Sequence, residues 1–382
     1  MITSPVFLSD PDMTAAELEA VNLAMQAATL SGGPIVEEFE SEFAAWLGRK
    51  YAVSMASGTL GLLEVLRAYK IGPGDEVIAS AYSWRETAHA IVLAGAKPVF
   101  ADVDYWSGAM VPTLVEQRIS DKTRAIIAGN TNGHPAPWGP LREVARRHRL
   151  PLIEDSTEAI GSTYKNTLVG TFGDCAVFDF SQPSPLTCGQ GAMVVTDNDE
   201  IAAALRQFRS RRPQERSSVV GGTRVPHQAP MSDLTAALGL AQLRRIDEIL
   251  ARRKRIEALY FKHIKSFEGI KDPYRAPDVT DVHWMLYVVH MGARFSRSSR
   301  DAIVEDLKTE MVEAAAYCHP LHEQPHYAGL GYRRGSLRVT EKIADRGVAL
   351  PFHTHLAEDR IAFIVSTMKD ASINVGAGSA IY

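Results

Sequence analysis

From residue 51 to residue 180, short apolar runs alternate with stretches of helical spacing, and few folds accept that pattern. The apolar runs fall at 51–55, 75–79, 98–103, 124–128, 150–153 and 175–178, with helical spacing at 60–68, 87–94 and 141–147. Strands this short, separated by helices, indicate an α/β fold with a largely parallel, doubly wound sheet. Ligands of such sheets lie beyond the carboxyl ends of the strands. Ser57, Trp84, Asn130, Asp155 and Asp179 stand at those ends.

A chain of 382 residues is long enough for one large and one smaller domain. From Ser232 onward the spacing is helical, with Leu240, Leu243, Ile246, Ile249 and Leu250 on one face. This helix is expected to bridge a large domain, residues 1–250, to a smaller α+β domain, residues 251–382, with a strand at 285–291 and helices at 298–307 and 356–368. Residues 35–47 also carry helical spacing, whereas residues 1–35 are weakly patterned.

A net charge of −4 argues against a polyanionic partner such as nucleic acid. The local cluster Arg209, Arg211, Arg212 and Arg216 reads as a solvated loop. Cys175, Cys188 and Cys318 have neither metal-ligand nor disulfide spacing, so no metal is expected and a reducing cytoplasm fits. No apolar run is long enough to span a bilayer.

Two stretches carry the candidate chemistry. In the first, Ser57-Gly58-Thr59 joins a strand to a helix, a geometry that aims free amides and a positive helix end at an anion. The same residues also suit a plain helix cap. In the second, the strand at 175–178 runs into a polar loop broken by Pro183 and Pro185, and Gly189-Gln190-Gly191 then opens another apolar run at 193–195. The second stretch is either a display loop for binding groups or an ordinary strand connection.

The second stretch resembles the cofactor-lysine segment of the DegT-type sugar and aminocyclitol aminotransferases, a fold-type I pyridoxal-phosphate family that includes the aminohydroxybenzoate synthases. Gly173, Asp174, Phe178, Phe180, Thr187, Gly189 and Gly191 fall in register with that segment. The resemblance extends from about Gly33 to Met368. It implies a pocket in which Ser57, Gly58 and Thr59 hold the cofactor phosphate, Trp84 stacks on the ring and Asp155 pairs with the pyridinium nitrogen. Trp84 as core packing and Asp155 as a helix cap are the alternatives. His319, His322 and Tyr327 resemble a substrate-side loop, or are simply solvent-facing. The resemblance further implies a homodimer with its pocket at the subunit interface, residues 209–228 facing the partner.

The departures from the family cluster on the cofactor. Ser184 stands where the family carries its Schiff-base lysine, and no lysine occurs between Lys165 and Lys254. Asp179 replaces a phosphate-binding serine, Glu158 replaces a Gln or His near the ring hydroxyl, and Gln228-Ala229-Pro230 replaces an Asn-Tyr-Arg that reaches the neighbouring subunit's cofactor. Ser184 cannot form an imine. Pyridoxal or pyridoxamine phosphate would therefore be held without a covalent bond, at Ser57, Gly58, Thr59, Trp84, Asp155 and Gln228, or would have been lost.

Four readings follow. The chain is a biosynthetic enzyme of non-transaminating chemistry on a sugar, cyclitol or antibiotic-like natural-product intermediate. Or it is a cofactor-independent enzyme using Asp179, Ser184 and Glu158, with a Ser-His-Asp arrangement conceivable. Or it is a non-catalytic partner of an active paralogue, or an ordinary transaminase whose lysine lies elsewhere.

Overall fold

The computed structural model describes residues 4–209, 225, 227–265 and 269–378. Each of the six apolar runs forms a strand, with boundaries shifted by at most two residues: β1 (Tyr51–Met55), β2 (Glu76–Ser80), β3 (Lys97–Ala101), β4 (Thr123–Gly129), β5 (Leu152–Asp155) and, after the small hairpin β6 (Thr163–Tyr164) and β7 (Thr167–Leu168), β8 (Cys175–Asp179). The run after the Gly-Gln-Gly turn becomes β9 (Ala192–Thr196). These strands make a seven-stranded sheet in the order β1-β9-β8-β5-β4-β2-β3. β9 is antiparallel to both neighbours, and the remaining pairs are parallel. A sheet covered by helices on both faces buries both sides of each strand, which is why Val53, Ile78, Ile127, Ile153 and Val177 are fully enclosed.

Helix α1 (Ala15–Met25) lies in the stretch expected to be weakly patterned. Its buried residues are Glu17 and Ala24, so no apolar stripe marks it. What specifies it is a capping box: the Thr14 hydroxyl serves the helix amides while the Glu17 carboxylate accepts from the Thr14 backbone at 2.8 Å. The helices of the large sheet follow as α2 (Pro34–Leu47), α3 (Gly58–Ala68), α4 (Arg85–Leu93), α5 (Pro112–Glu116), α6 (Trp138–His148) and α7 (Asp199–Arg209).

The long helix expected from Ser232 is broken in two, α8 (Asp233–Arg244) and α9 (Ile246–Ile264). Arg245 leaves helical geometry at the break and turns its guanidinium to Asp12 at 2.9 Å and Glu17 at 2.5 Å. The break therefore ties the start of the chain to the hinge between the two helices.

Beyond α9, β10 (Ile270–Lys271) opens a second sheet, whereas β11 (Val279–Asp281) pairs back with β6. β12 (Tyr287–Met291), β13 (Ala315–Ala316) and β14 (Gly347–Leu350) complete that antiparallel sheet in the order β10-β12-β14-β13. Helices α10 (Arg297–Thr309), α11 (Arg338–Ala344) and α12 (Glu358–Gly378) accompany it, and Val6 bridges to Val312 from the other end of the chain. Among the described residues no helix is long and apolar enough to cross a membrane.

Candidate functional site

Strand β5 ends in two carboxylates that face different tasks. Glu154 is fully buried and accepts from the amides of Gly170 (2.5 Å) and Phe172 (3.0 Å), from Asn130 Nδ2 (3.0 Å) and from Ser156 Oγ (2.8 Å). Glu154 fastens the loop before β8. Asp155, one residue on, lines a cavity of about 240 Å³ and accepts from Thr87 Oγ1 at 2.9 Å and the Thr157 amide at 3.2 Å. Burial pushes its carboxyl above the usual range, and the nearby Asp179 charge adds to that.

The cavity lies beyond the carboxyl ends of β4, β5 and β8, where a doubly wound sheet places its ligands. Its wall includes Gly58, Trp84, Arg85, Glu86, Asn130, Asp155, Glu158, Asp179, Ser181 and Pro183. Its acidic groups are Glu86, Asp155, Glu158 and Asp179, and its basic group is the exposed Arg85. No lysine is among the lining residues.

Asp179 ends β8 with its carboxylate against the first turn of α3. One oxygen accepts from the Gly58 amide at 2.6 Å, and the other from the Ser181 amide at 2.8 Å and from the Ser181 hydroxyl. The Asp179 amide itself donates to Thr157 Oγ1 at 3.1 Å. The contact requires glycine at 58, because a Cβ there would stand 2.8 Å from the Asp179 Cβ. Ser57 is the helix cap, its hydroxyl accepting from the Leu60 amide at 3.3 Å. Both alternatives for Ser57-Gly58-Thr59 are thus realised together, the anion at the helix end being the chain's own Asp179. Thr59 sits half-buried in the first helical turn and is not among the lining residues.

Glu158 is 94% buried against the opposite wall. Its Oε2 accepts from the Tyr317 hydroxyl at 2.6 Å and from the Asn132 amide, while Oε1 has no hydrogen-bond partner. Burial drives its carboxyl up to about 8, against the pull of those two donors, and the Asp155 and Glu86 charges push the same way. Trp84, half-buried, forms another part of the wall and leaves its Nε1 without a partner. Glu86 does the same with Oε2, and burial raises its carboxyl too.

The structure does not bring Ser184 into this arrangement. Ser181, Gln182 and Pro183 line the cavity, whereas Ser184 is buried outside that lining with its hydroxyl unpartnered. Register places a residue along the chain without saying where its side chain goes. The Ser-His-Asp arrangement is not formed, since no histidine is hydrogen-bonded to Ser184 or Asp179 among the described residues. His319 is exposed, and His322 is buried against Glu341 at 3.0 Å. Neither lines the cavity, and Tyr327 does not either. His322, Glu323 and Glu341 gather within metal-ligand range, yet Glu323 is held by Arg297 at 2.7 Å and Arg334 at 2.9 Å.

Gln228 is exposed, with a left-handed backbone, and is not part of its own chain's cavity wall. Arg209 is committed to an ion pair with Glu40 and donates to Ser54 Oγ at 2.7 Å. Arg211, Arg212 and Arg216 lie outside the described residues, as does the rest of 210–224. Sequence reasoning missed Glu86, Tyr317 and Thr87 as members of the site. The adjacency of Glu86 to Trp84 at a strand end was the available signal for the first, and the chain offers none for the others.

Residues 11–369 match the DegT/DnrJ/EryC1/StrS aminotransferase family. Over 348 residues the chain is 34% identical to GDP-perosamine synthase of Caulobacter vibrioides, covering 90% of this chain and 91% of that protein. The crystal structure of S. venezuelae DesV in complex with a ketimine intermediate superposes with a TM-score of 0.88 at 30% identity, over 97% of this chain and 99% of the other. The PLP form of a putative sugar aminotransferase from Streptococcus pneumoniae gives 0.90 at 25% identity, over 97% and 99%.

Proposed function

Since the chain belongs to the DegT/DnrJ/EryC1/StrS aminotransferase family, we propose that it keeps that scaffold for acid–base chemistry on a small molecule and does not transaminate. The observation that carries this reading is the bond between Asp179 and Gly58. An anionic cofactor seated at the start of α3 would meet a carboxylate already accepting that amide at 2.6 Å. Repulsion between two charges about 4 Å apart is ~1–4 kcal/mol between bulk-water and near-surface dielectrics. The absence of lysine from the cavity lining, with Ser184 in the lysine's register, supports the same conclusion. Asp155 and the Trp84 wall would suit a pyridinium ring, whereas Asp179 opposes its phosphate. The residues present do not fit pyridoxal phosphate, and the reaction runs without it.

Glu158 is the group best placed for chemistry, being buried, on the wall, and free at Oε1. It acts as a general base: Oε1 takes the proton from a hydroxyl-bearing carbon next to a carbonyl and returns it to the former carbonyl carbon, while the hydroxyl proton passes to the former carbonyl oxygen. Such an isomerisation balances without a co-reactant. Tyr317 and Asn132 fix the carboxylate through Oε2. The same proton abstraction would serve dehydration if a hydroxyl left from the next carbon. The substrate is a sugar, cyclitol or related natural-product intermediate, in keeping with the sugar-processing relatives.

The chain is proposed to act in the cytoplasm as a homodimer. The exposed position of Gln228, away from its own cavity, supports a face turned to a second copy.

The test is to incubate the purified protein with saturating pyridoxal phosphate, reduce with borohydride and measure intact mass. The expected result is an unchanged mass and no imine absorbance; a cofactor trapped on any lysine overturns the proposal.

A further inference from the structure

We infer that Trp84 and Glu86 complete the catalytic set around Glu158. Trp84 Nε1 donates to the substrate carbonyl oxygen, and Glu86 Oε2 carries the hydroxyl proton across to it. This rests on the isomerisation proposed for Glu158 and narrows its substrate to one whose two oxygens lie on the same side.

The reaction sets three tasks. A base must take the carbon-bound proton, a donor must meet the charge developing on the carbonyl oxygen, and a relay must move the hydroxyl proton. Among the cavity-lining residues, three enclosed side-chain atoms have no hydrogen-bond partner: Glu158 Oε1, Trp84 Nε1 and Glu86 Oε2. An enclosed polar atom left unpaired costs stability, so each marks a point that a ligand can satisfy. Glu158 Oε1 is the base. Trp84 Nε1 can only donate, and Glu86 Oε2 is a second acceptor.

Other polar groups of the wall are already engaged. Both oxygens of Asp155 and both of Asp179 accept hydrogen bonds. Asn130 gives its amide nitrogen to Glu154 and Ser156, and its oxygen accepts from the Ala136 amide and Trp138 Nε1. The Ser181 hydroxyl donates to Asp179, and Thr157 Oγ1 accepts the Asp179 amide. Trp84 directly precedes α4 and Glu86 lies in its first turn. Thr87, in the same turn, donates to Asp155 at 2.9 Å and holds that turn to the end of β5. Glu86 Oε1 stands 3.9 Å from Arg85 Nε, a pairing that leaves Oε2 to the substrate.

The steps balance. Glu158 Oε1 takes the proton from the hydroxyl-bearing carbon, and its electron pair forms a carbon–carbon double bond while charge moves onto the carbonyl oxygen. Trp84 Nε1–H donates to that oxygen; an indole keeps its proton, so it stabilises the charge without neutralising it. Glu86 Oε2 accepts the hydroxyl proton and passes it to the charged oxygen, which leaves the charge on the former hydroxyl oxygen. That oxygen becomes the new carbonyl as the former carbonyl carbon takes the proton held by Glu158. Both carboxylates end as they began. Burial raises the Glu86 carboxyl, and the Asp155 and Asp179 charges add to that, which favours taking up a proton. One carboxylate oxygen reaches both substrate oxygens only when they are cis across the double bond. The substrate is therefore an α-hydroxy aldehyde or ketone that enolises to the cis form, and a cavity of about 240 Å³ keeps it small.

The experiment follows dihydroxyacetone, D- and L-glyceraldehyde and D-erythrose by proton NMR in deuterated water, with Glu158→Gln as the blank. Deuterium entering at carbon reports Glu158, and interconversion of aldehyde and ketone reports the complete set. The wild type should do both with at least one probe. Glu86→Gln should lower interconversion about 100-fold while exchange falls less than about fivefold, since the enolate can still be reprotonated where it formed. Glu86→Asp, which keeps a shorter carboxylate, should show the same imbalance about tenfold more weakly. Trp84→Phe should lower kcat for exchange and interconversion together by about tenfold or more, with KM within about threefold. Each variant must show a native circular dichroism spectrum. Equal loss of exchange and interconversion in the Glu86 variants, or no loss, overturns the relay. A KM change in place of a kcat change in Trp84→Phe, or no change, overturns the donor. In those cases the base reading stands, because the wild type still exchanges. A wild type that neither exchanges nor interconverts any probe removes that reading and the inference with it.

Discussion

The Asp179 carboxylate, at the end of β8, accepts the Gly58 amide of α3 at 2.6 Å across 121 residues of sequence. A helix start offers free amides and a partial positive charge to whatever anion reaches it. Here the anion is a side chain, so the helix is satisfied from within the fold.

Asp179→Ser should uncover that helix end, and Ser184→Lys should add an amine beside the cavity-wall residue Pro183. The double variant is expected to take up pyridoxal phosphate as a yellow, borohydride-reducible adduct. Each single variant should take up less than half as much, because a seated phosphate and an imine reinforce each other. Absorbance and intact mass check this. A correctly folded double variant that stays colourless shows that more than the residues at 179 and 184 separates this cavity from a cofactor site.

Glu158 governs two pH profiles. As a base it works ionised, so kcat/KM of the native reaction should rise with pH and level off above about 8, and Glu158→Gln should lower it at least 100-fold. Stability should run the other way. The folded carboxyl titrates near 8 and the unfolded one near ~4.3, so between these the folded state holds more protons and stability falls as pH rises. Denaturant midpoints across that window should decline for the wild type and flatten for Glu158→Gln.

Glu17 predicts the opposite slope. Burial works against its charge, but hydrogen bonds from Thr14 and Arg245 outweigh it and hold the carboxyl down to about 2. Its contribution is therefore complete above ~4.3 and lost as pH falls toward 2. Glu17→Ala leaves Arg245 half-served at the α8–α9 break and should cost about 3 kcal/mol. Urea denaturation at pH 7 and pH 3 should show that loss shrinking at the lower pH.

Gly133→Ala tests how the two sheets are joined at the cavity. Gly133 has φ +95°, and a Cβ there would lie 2.3 Å from the His283 carbonyl oxygen. Its neighbour Asn132 exchanges hydrogen bonds of 3.1 and 3.0 Å with Leu286 and donates its amide to Glu158. The variant should lose about 1–3 kcal/mol in thermal or chemical unfolding. It should also raise the pH at which kcat/KM levels off, by removing a donor from Glu158.

The sheet was legible because burial on both faces forces continuous apolar strands, as in Ala125 to Ala128 and Cys175 to Phe178. Helix α1 was not, because it packs through Glu17 rather than through an apolar stripe; Thr14-x-x-Glu17 was its readable mark. At the site, strand ends located Asp155 and Asp179, and the resemblance singled out Glu158 and Trp84. It could not give the partner of Asp179, since pairing across 121 residues is a property of the fold. Counting residues put Ser184 at the reacting position, whereas its side chain is buried outside the cavity lining. Glu86 and Tyr317 reach Glu158's surroundings from elements distant in sequence, and no local pattern announces that.

A tethered anion competes on different terms from a dissolved one. Asp179 is delivered to Gly58 by an interior strand of a buried sheet, so its effective concentration there does not vary with what the surrounding solution holds. Free phosphate or a phosphorylated metabolite must displace a group that never diffuses away. The α3 terminus is accordingly expected to be insensitive to the phosphate supply of its surroundings, and Asp179→Ser to make it sensitive.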